Sequence, residues 1–176
     1  MDFDEEHQLS LQVIRENMLK NHGYYKVTED GVEQCLISCD DGVYRFTPPE
    51  SEEQDWTVEK LVDEAASDAV LVDLDQDGEK ELILISPFHG EHIYFYKKID
   101  GDYKKVYTYD TADFAHAIYG GTLLGKPAVI IGHRKGERNL LLFTWEQEKG
   151  EYQVEILDRD CGPANVFKYE RGTEEV

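Results

Sequence analysis

The sequence predicts an all-β protein built from a repeated unit of four antiparallel strands. Three observations predict this class. Turn glycines recur at a constant interval, short apolar segments follow each of them, and tyrosine is abundant, with 11 among the 176 residues. Tyrosine and β-branched residues favour the pleated surface of a strand. The chain is long enough for one domain with its own hydrophobic core.

The glycine interval is the strongest of these signals. It is 47 residues each time, from Gly31 to Gly78, from Gly78 to Gly125 and from Gly125 to Gly172. A repeat of this length that contains four short strands is typical of a β-propeller blade. We therefore expect successive repeats to form successive sheets of one propeller.

Three strand-like segments follow each of the first three glycines. The first set is Cys35–Ser38, Leu82–Ile85 and Ala128–Ile131. The second set is Val43–Phe46, Ile93–Tyr96 and Leu140–Phe143, and the third is Trp56–Val62, Tyr103–Tyr109 and Tyr152–Leu157. A further strand before each glycine completes the four-stranded unit. The turns between the last two strands are polar and contain glycine or acidic residues, as hairpins require.

The fold class is therefore an incomplete β-propeller, a partial ring of about three complete four-stranded antiparallel blades with flanking strands. The predicted boundaries are an outer strand at 8–16, blades at 22–63, 68–110 and 116–158, and the start of a next blade at 164–176. The N-terminal segment also allows a helix over 4–21, but the repeat favours the strand. Propellers have about four to eight blades, so we expect either missing blades or self-association to close the ring.

An acidic turn joins the apolar runs before and after Gly78. It carries Asp73, Asp75, Asp77 and Glu81 in the pattern Asp-x-Asp-x-Asp-Gly-x-x-Glu. This pattern resembles the calcium loop of the FG-GAP (VCBS) repeats of β-propellers. The resemblance implies that the four side chains bind calcium, together with the backbone carbonyl of Glu79. The alternative is an acidic β-turn that needs no metal.

A second group of polar residues occupies equivalent positions in the repeats. His22, Asp68, His116 and Asn165 each open an innermost strand. Such strand starts converge on the central channel of a propeller, where imidazole and carboxylate groups suit a divalent transition metal. The alternative is that these side chains only satisfy nearby backbone groups.

The loops on the same side of the disc supply further candidates. His133 and Arg134 are candidate catalytic residues that would orient a substrate. His89, His92 and Arg138 are candidate substrate-binding residues. Positive charge gathered in an acidic protein attracts small anions such as a carboxylate or a sugar acid. The alternative is that these loop charges are simply solvated.

Composition limits the partners. The net charge of −20 repels phosphate backbones and anionic lipids, so nucleic acid and membranes are not expected partners. The sequence shows no apolar membrane span and no signal peptide, which predicts a cytoplasmic location. Cys35, Cys39 and Cys161 are interpreted as reduced thiols of the core rather than as a disulfide or metal site.

These observations favour a binding or scaffold propeller of the FG-GAP type, stabilised by calcium, whose ligand is a protein or a small polar or carbohydrate molecule. The alternative is a metal-dependent enzyme that acts on a sugar or lactone in the channel. The sequence has no Gly-x-Ser-x-Gly motif and no phosphate-binding glycine loop. It therefore leaves open whether the protein is an enzyme.

Overall fold

The computed structural model of the chain describes residues 11–51, 53–171 and 174–175. These residues form strands, turns and bends, and there is no helix among them. The first sheet contains β1 Tyr24–Glu29, β2 Val32–Cys39, β3 Gly42–Thr47 and β4 Thr57–Val62. The second contains β5 Asp68–Val72, β6 Glu81–Ser86, β7 His92–Ile99 and β8 Asp102–Tyr109. The third contains β9 Ala115–Leu123, β10 Lys126–His133, β11 Leu140–Glu146 and β12 Glu151–Asp158.

Each sheet is antiparallel, and its strands follow one another in chain order. The all-β class and the repeated four-stranded unit are therefore confirmed. The sheets cover residues 24–62, 68–109 and 115–158. A short antiparallel pair, β13 Glu170–Arg171 with β14 Glu174–Glu175, follows them. Within the described residues the sheets do not close into a ring.

The middle sheet is covered on both faces. Successive side chains of a strand point to opposite sides, and the apolar run of β6 fills both sides in turn. Ile83 and Ile85 pack into a core shared with the third sheet. Leu82 and Leu84 pack into a core shared with the first sheet. All six residues of β6 are buried, which explains its nearly unbroken apolar sequence.

The inner strands β1, β5 and β9 lie side by side, since β5 contacts both of the others. Gly120 on β9 permits this approach. A Cβ atom at Gly120 would lie 2.6 Å from Cγ2 of Val72 and 2.8 Å from Cβ of Val70, both on β5. The Tyr25 hydroxyl of β1 donates a hydrogen bond to the Gly120 carbonyl at 3.1 Å. The starts of the three strands are thereby held at one end of the molecule.

The N-terminal segment differs from the prediction. Residues 11–18 form neither the strand predicted at 8–16 nor the alternative helix, and residues 8–10 lie outside the described part. The segment instead contacts the outer face of the first sheet through side chains. Arg15 lies 4.3 Å from the centre of the Tyr44 ring, and Met18 packs beside Cys39. A strand needs a partner edge for its backbone groups, and this segment lies against a face.

The three cysteines are free thiols, as predicted, but they do not share one environment. Cys39 is buried and Cys35 is partly buried in the same cluster of the first sheet. Cys161 is exposed, so its assignment to the core was wrong. Residues 159–169, which follow β12, form no strand, and this thiol is accessible near their start. Across the described residues, no helix is long and apolar enough to cross a bilayer.

Replacing Gly120 with valine should lower the free energy of unfolding by about 1–3 kcal/mol, because the added methyl groups would overlap the side chains of β5. Urea denaturation followed by circular dichroism measures the change. Thr122→Val places the same valine side chain at an exposed position of the same strand. It should change the stability by less than about 0.5 kcal/mol. Equal stability of the G120V and wild-type proteins would contradict the packing described here.

Candidate functional site

Three histidines meet at the end of the molecule where the inner strands begin. His22 lies just before β1, His116 lies in β9, and His89 lies in the loop between β6 and β7. One ring nitrogen from each lies within 4.8 Å of the other two. We call these three residues the histidine cluster. Each histidine is supplied by a different sheet.

Backbone hydrogen bonds hold the β6–β7 loop against the segment before β9. The Ala112 amide donates to the Glu91 carbonyl at 3.1 Å, and the Ala115 amide donates to the Gly90 carbonyl at 2.9 Å. Gly90 closes a tight turn, since a Cβ atom there would lie 2.1 Å from the Ser86 carbonyl oxygen. These contacts carry His89 across to the side of His116.

The ring nitrogens face one another. Nε2 of His22 lies 3.2 Å from Nε2 of His89. The His116 ring centre lies 4.7 Å from that of His89 and 5.5 Å from that of His22. Two imidazole lone pairs at this separation repel each other, so the pair requires a shared proton or a cation. Imidazole nitrogens are common ligands of zinc and other transition metals.

The outer nitrogens of two of these rings have hydrogen-bond partners. Nδ1 of His22 lies 3.2 Å from Oδ2 of Asp68, and Nδ1 of His116 lies 2.9 Å from the Ala164 carbonyl oxygen. A carbonyl only accepts, so His116 donates from Nδ1 and keeps a lone pair on Nε2. An ionised Asp68 fixes the same tautomer in His22. Such contacts orient metal-binding histidines.

Aromatic rings surround the cluster. Phe88 stacks on His89 with ring centres 4.2 Å apart, and the Phe114 ring centre lies 4.8 Å from that of His89. Burial, followed by the charges of His116, His22 and Arg134, lowers the pKa of His89 below its usual value. Burial raises the pKa of Asp68 to about 6, although His22 and His116 oppose the shift. The surroundings therefore favour the neutral form of His89.

The predicted channel set is brought together only in part. His22 and His116 are in the cluster, and Asp68 contacts it only through a hydrogen bond with Nδ1 of His22. Asn165 is exposed, and the contact with His116 comes from the carbonyl of the preceding Ala164. His89, predicted as a substrate-binding residue, joins the cluster instead. Its position in a loop hides this from a repeat analysis, which aligns strands.

The remaining loop candidates lie outside the cluster. His92 pairs with Asp110 at 2.9 Å. Arg138 pairs with Asp160 at 3.1 Å. His133 is buried, and both of its ring nitrogens are engaged, Nδ1 with the Lys135 carbonyl and Nε2 with the Asn139 amide, each at 3.0 Å. It has no nitrogen free for a substrate proton, so the structure gives it a supporting position in the loop. Arg134 stays beside the cluster, where its charge acts on His89.

The acidic turn forms a second group at the opposite end of β5. Carboxylate oxygens of Asp73, Asp75 and Glu81 lie within 4.8 Å of one another. The Lys97 ammonium contacts Asp75, lies 2.7 Å from Asp77 and lies 3.7 Å from Glu81. Burial raises the pKa of Glu81 to about 7. A lysine thus supplies positive charge among these carboxylates.

Backbone amides satisfy much of this turn. Leu74 donates to Glu81 at 2.8 Å, Gly78 donates to Asp73 at 3.2 Å, and Glu79 donates to Asp77 at 2.9 Å. Among the described residues Oδ1 of Asp73 is buried without a hydrogen-bond partner. The donor set of hard oxygen atoms suits calcium, and the unpartnered oxygen fits an ion. Lys97 would compete with that ion.

Comparison with known proteins found no match, either among protein-family models or among curated proteins.

Replacing His133 with alanine should destabilise the protein by about 1–3 kcal/mol, because the buried backbone amide of Asn139 loses its hydrogen-bond acceptor. Thermal or urea unfolding measures the loss. His92→Ala is the control, since its partner Asp110 is exposed and remains hydrated. If H133A keeps wild-type stability, the loop does not depend on this histidine and the supporting position assigned to it is wrong.

Proposed function

We propose that this protein binds a divalent transition metal through His22, His89 and His116, and that the metal centre serves an enzyme acting on a small polar substrate such as a sugar or lactone. The observation that carries the proposal is the convergence of three ring nitrogens within 4.8 Å. Three protein ligands that leave further coordination positions open are typical of catalytic zinc sites, whereas structural sites are closed by four.

The residues around such a metal centre would have different roles. Asp68 and the Ala164 carbonyl hold two imidazoles in the tautomer that presents Nε2. Phe88 and Phe114 exclude water from one side of the cluster. A bound zinc ion would polarise a substrate carbonyl or lower the pKa of a coordinated water molecule.

We further propose that the architecture is an incomplete β-propeller of the FG-GAP type. Three successive four-stranded sheets with adjacent inner strands are the arrangement that such a ring requires. Closure would need further blades or a second copy of the chain. The free thiols of Cys35, Cys39 and Cys161 are consistent with a reducing compartment, and a cytoplasmic location is part of the proposal.

Zinc titration by calorimetry tests the metal site, using protein purified without chelators or a metal-affinity step. The wild-type protein should bind one zinc ion per chain. His89→Ala should abolish high-affinity binding because it removes a ligand. Asp68→Asn should weaken binding by roughly 10–100-fold because it removes the group that orients His22.

His92→Ala is the matched control, because it removes an imidazole from the same loop region but lies outside the cluster. This variant should bind zinc like the wild type. If the wild-type protein binds no zinc, or if H89A binds it equally well, the proposed metal site is wrong.

A second candidate function is a binding or scaffold propeller whose acidic turn is stabilised by calcium, with a protein or a carbohydrate as its ligand. The buried, unpartnered Oδ1 of Asp73 favours it. Asp73, Asp75 and Glu81 supply converging oxygen atoms, and Asp77 lies beside them. In this arrangement the ion would stabilise a turn and take no part in chemistry.

Lys97→Met should raise calcium affinity by about tenfold, since a hydrogen bond to a charged group is worth roughly 1.5–3 kcal/mol and the ammonium no longer competes. Calorimetric calcium titration measures the effect. Lys98→Met removes the same charge from an exposed neighbour and should leave the affinity unchanged. If neither the wild type nor K97M binds calcium, the turn is stabilised by its own hydrogen bonds and the calcium proposal fails.

A further inference from the structure

Two cations lie beside the histidine cluster without acidic partners. Arg134 and Lys135 are exposed at the start of the loop after β10. Within the described residues, no carboxylate forms a salt bridge with either of them. Arg138 in the same loop is paired with Asp160. These two cations are adjacent in a chain with 38 acidic and 18 basic residues.

The backbone fixes these two residues against the wall of the cluster. The Arg134 amide donates to the Phe114 carbonyl at 3.1 Å, and the Lys135 amide donates to the Asp113 carbonyl at 3.0 Å. The buried His133 holds the same loop in place, since its Nε2 accepts a hydrogen bond from the backbone amide of Asn139. These contacts fix the backbone positions from which both charged side chains extend.

Phe114 links the cations to the histidines. The Lys135 ammonium lies 4.7 Å from the centre of the Phe114 ring. That ring lies 4.8 Å from the ring of His89 and 6.2 Å from the ring of His116. Arg134 is held to the same residue, since its backbone amide donates to the Phe114 carbonyl. A small molecule in contact with the cluster is thus within reach of both cations.

We propose that the histidine cluster together with Arg134 and Lys135 forms one binding site for small carboxylate-bearing molecules. The inference rests on the proposed function and names the substrate class of the same site. Arginine binds a carboxylate through two parallel hydrogen bonds, and lysine adds a compact positive charge. The carboxylate would lie between the cations and the histidines, so that it contacts both the positive charges and a metal held by the cluster.

The overall charge of the protein makes this local arrangement selective. The net charge of −20 repels anions from most of the surface. The two adjacent cations beside the cluster offer a charged ligand a favourable position there. A neutral molecule of the same shape gains nothing from them, so the site should distinguish acids from their amides.

Cobalt(II) provides a visible probe of the site. The full-length protein is loaded with Co²⁺, and the d–d absorption is recorded during titration with acetate at constant ionic strength. Acetamide is titrated in parallel as the neutral isostere. Acetate should change the spectrum and saturate, and acetamide should not. Arg134→Ala combined with Lys135→Ala should weaken acetate binding at least about tenfold while Co²⁺ affinity stays the same.

Arg138→Ala is the matched control, because it removes one positive charge from the same loop at a residue already paired with Asp160. This variant should bind acetate like the wild type. Co²⁺ binding without an acetate response, or equal acetate binding by the double variant, would overturn the inference and leave the metal site standing. Failure of the wild-type protein to bind Co²⁺ would overturn the metal site and the inference with it.

Discussion

Burial of the middle sheet on both faces is the constraint on which the rest of the structure depends. Strand β6 contributes alternate side chains to two separate cores, so neither neighbouring sheet can move away without exposing apolar surface. Burial of apolar area stabilises a fold by about 25 cal/mol per Å². The same packing of three sheets places β5 between β1 and β9. The positions of His22 and His116 follow from that arrangement, since they lie at the starts of β1 and β9.

The strand content and the repeat could be predicted from the sequence because both are local or periodic properties. Alternation along a strand and turn glycines at a fixed interval are visible in the letters alone. Gly31, Gly78 and Gly125 all adopt positive φ angles, of 80°, 97° and 76°, as equivalent turn positions require. His22, Asp68 and His116 were placed near one another for the same reason, since they occupy equivalent starts of inner strands.

The loops could not be predicted in this way. His89 joins the cluster because amides of residues 112 and 115 bind carbonyls of residues 90 and 91, a long-range contact that no local pattern encodes. His133 is buried for a similar reason, since it serves the backbone of its own loop. The outer strand predicted at 8–16 depended on a partner edge, and the sequence carries no sign that the segment lies against a sheet face instead.

The two candidate metal centres differ in chemistry, although one short strand joins them. Asp68 at the start of β5 supports the nitrogen donors, and Asp73 follows its end in the oxygen-rich turn. A strand of this length separates its ends by roughly 17 Å at about 3.3 Å per residue. Nitrogen donors favour transition metals and carboxylates favour calcium, so one ion is not expected to replace the other.

Each histidine of the cluster belongs to a different repeat, and this affects how the molecule unfolds. In repeat proteins, stability is approximately a sum of unit terms and nearest-neighbour interface terms, so one end can open while the other stays folded. An ion shared by His22, His89 and His116 would join the first and third units directly. Local opening of any unit would then release the ion, so all three units would unfold as one cooperative body. The availability of the metal would then determine how cooperatively the three units unfold, in addition to any chemistry at the site.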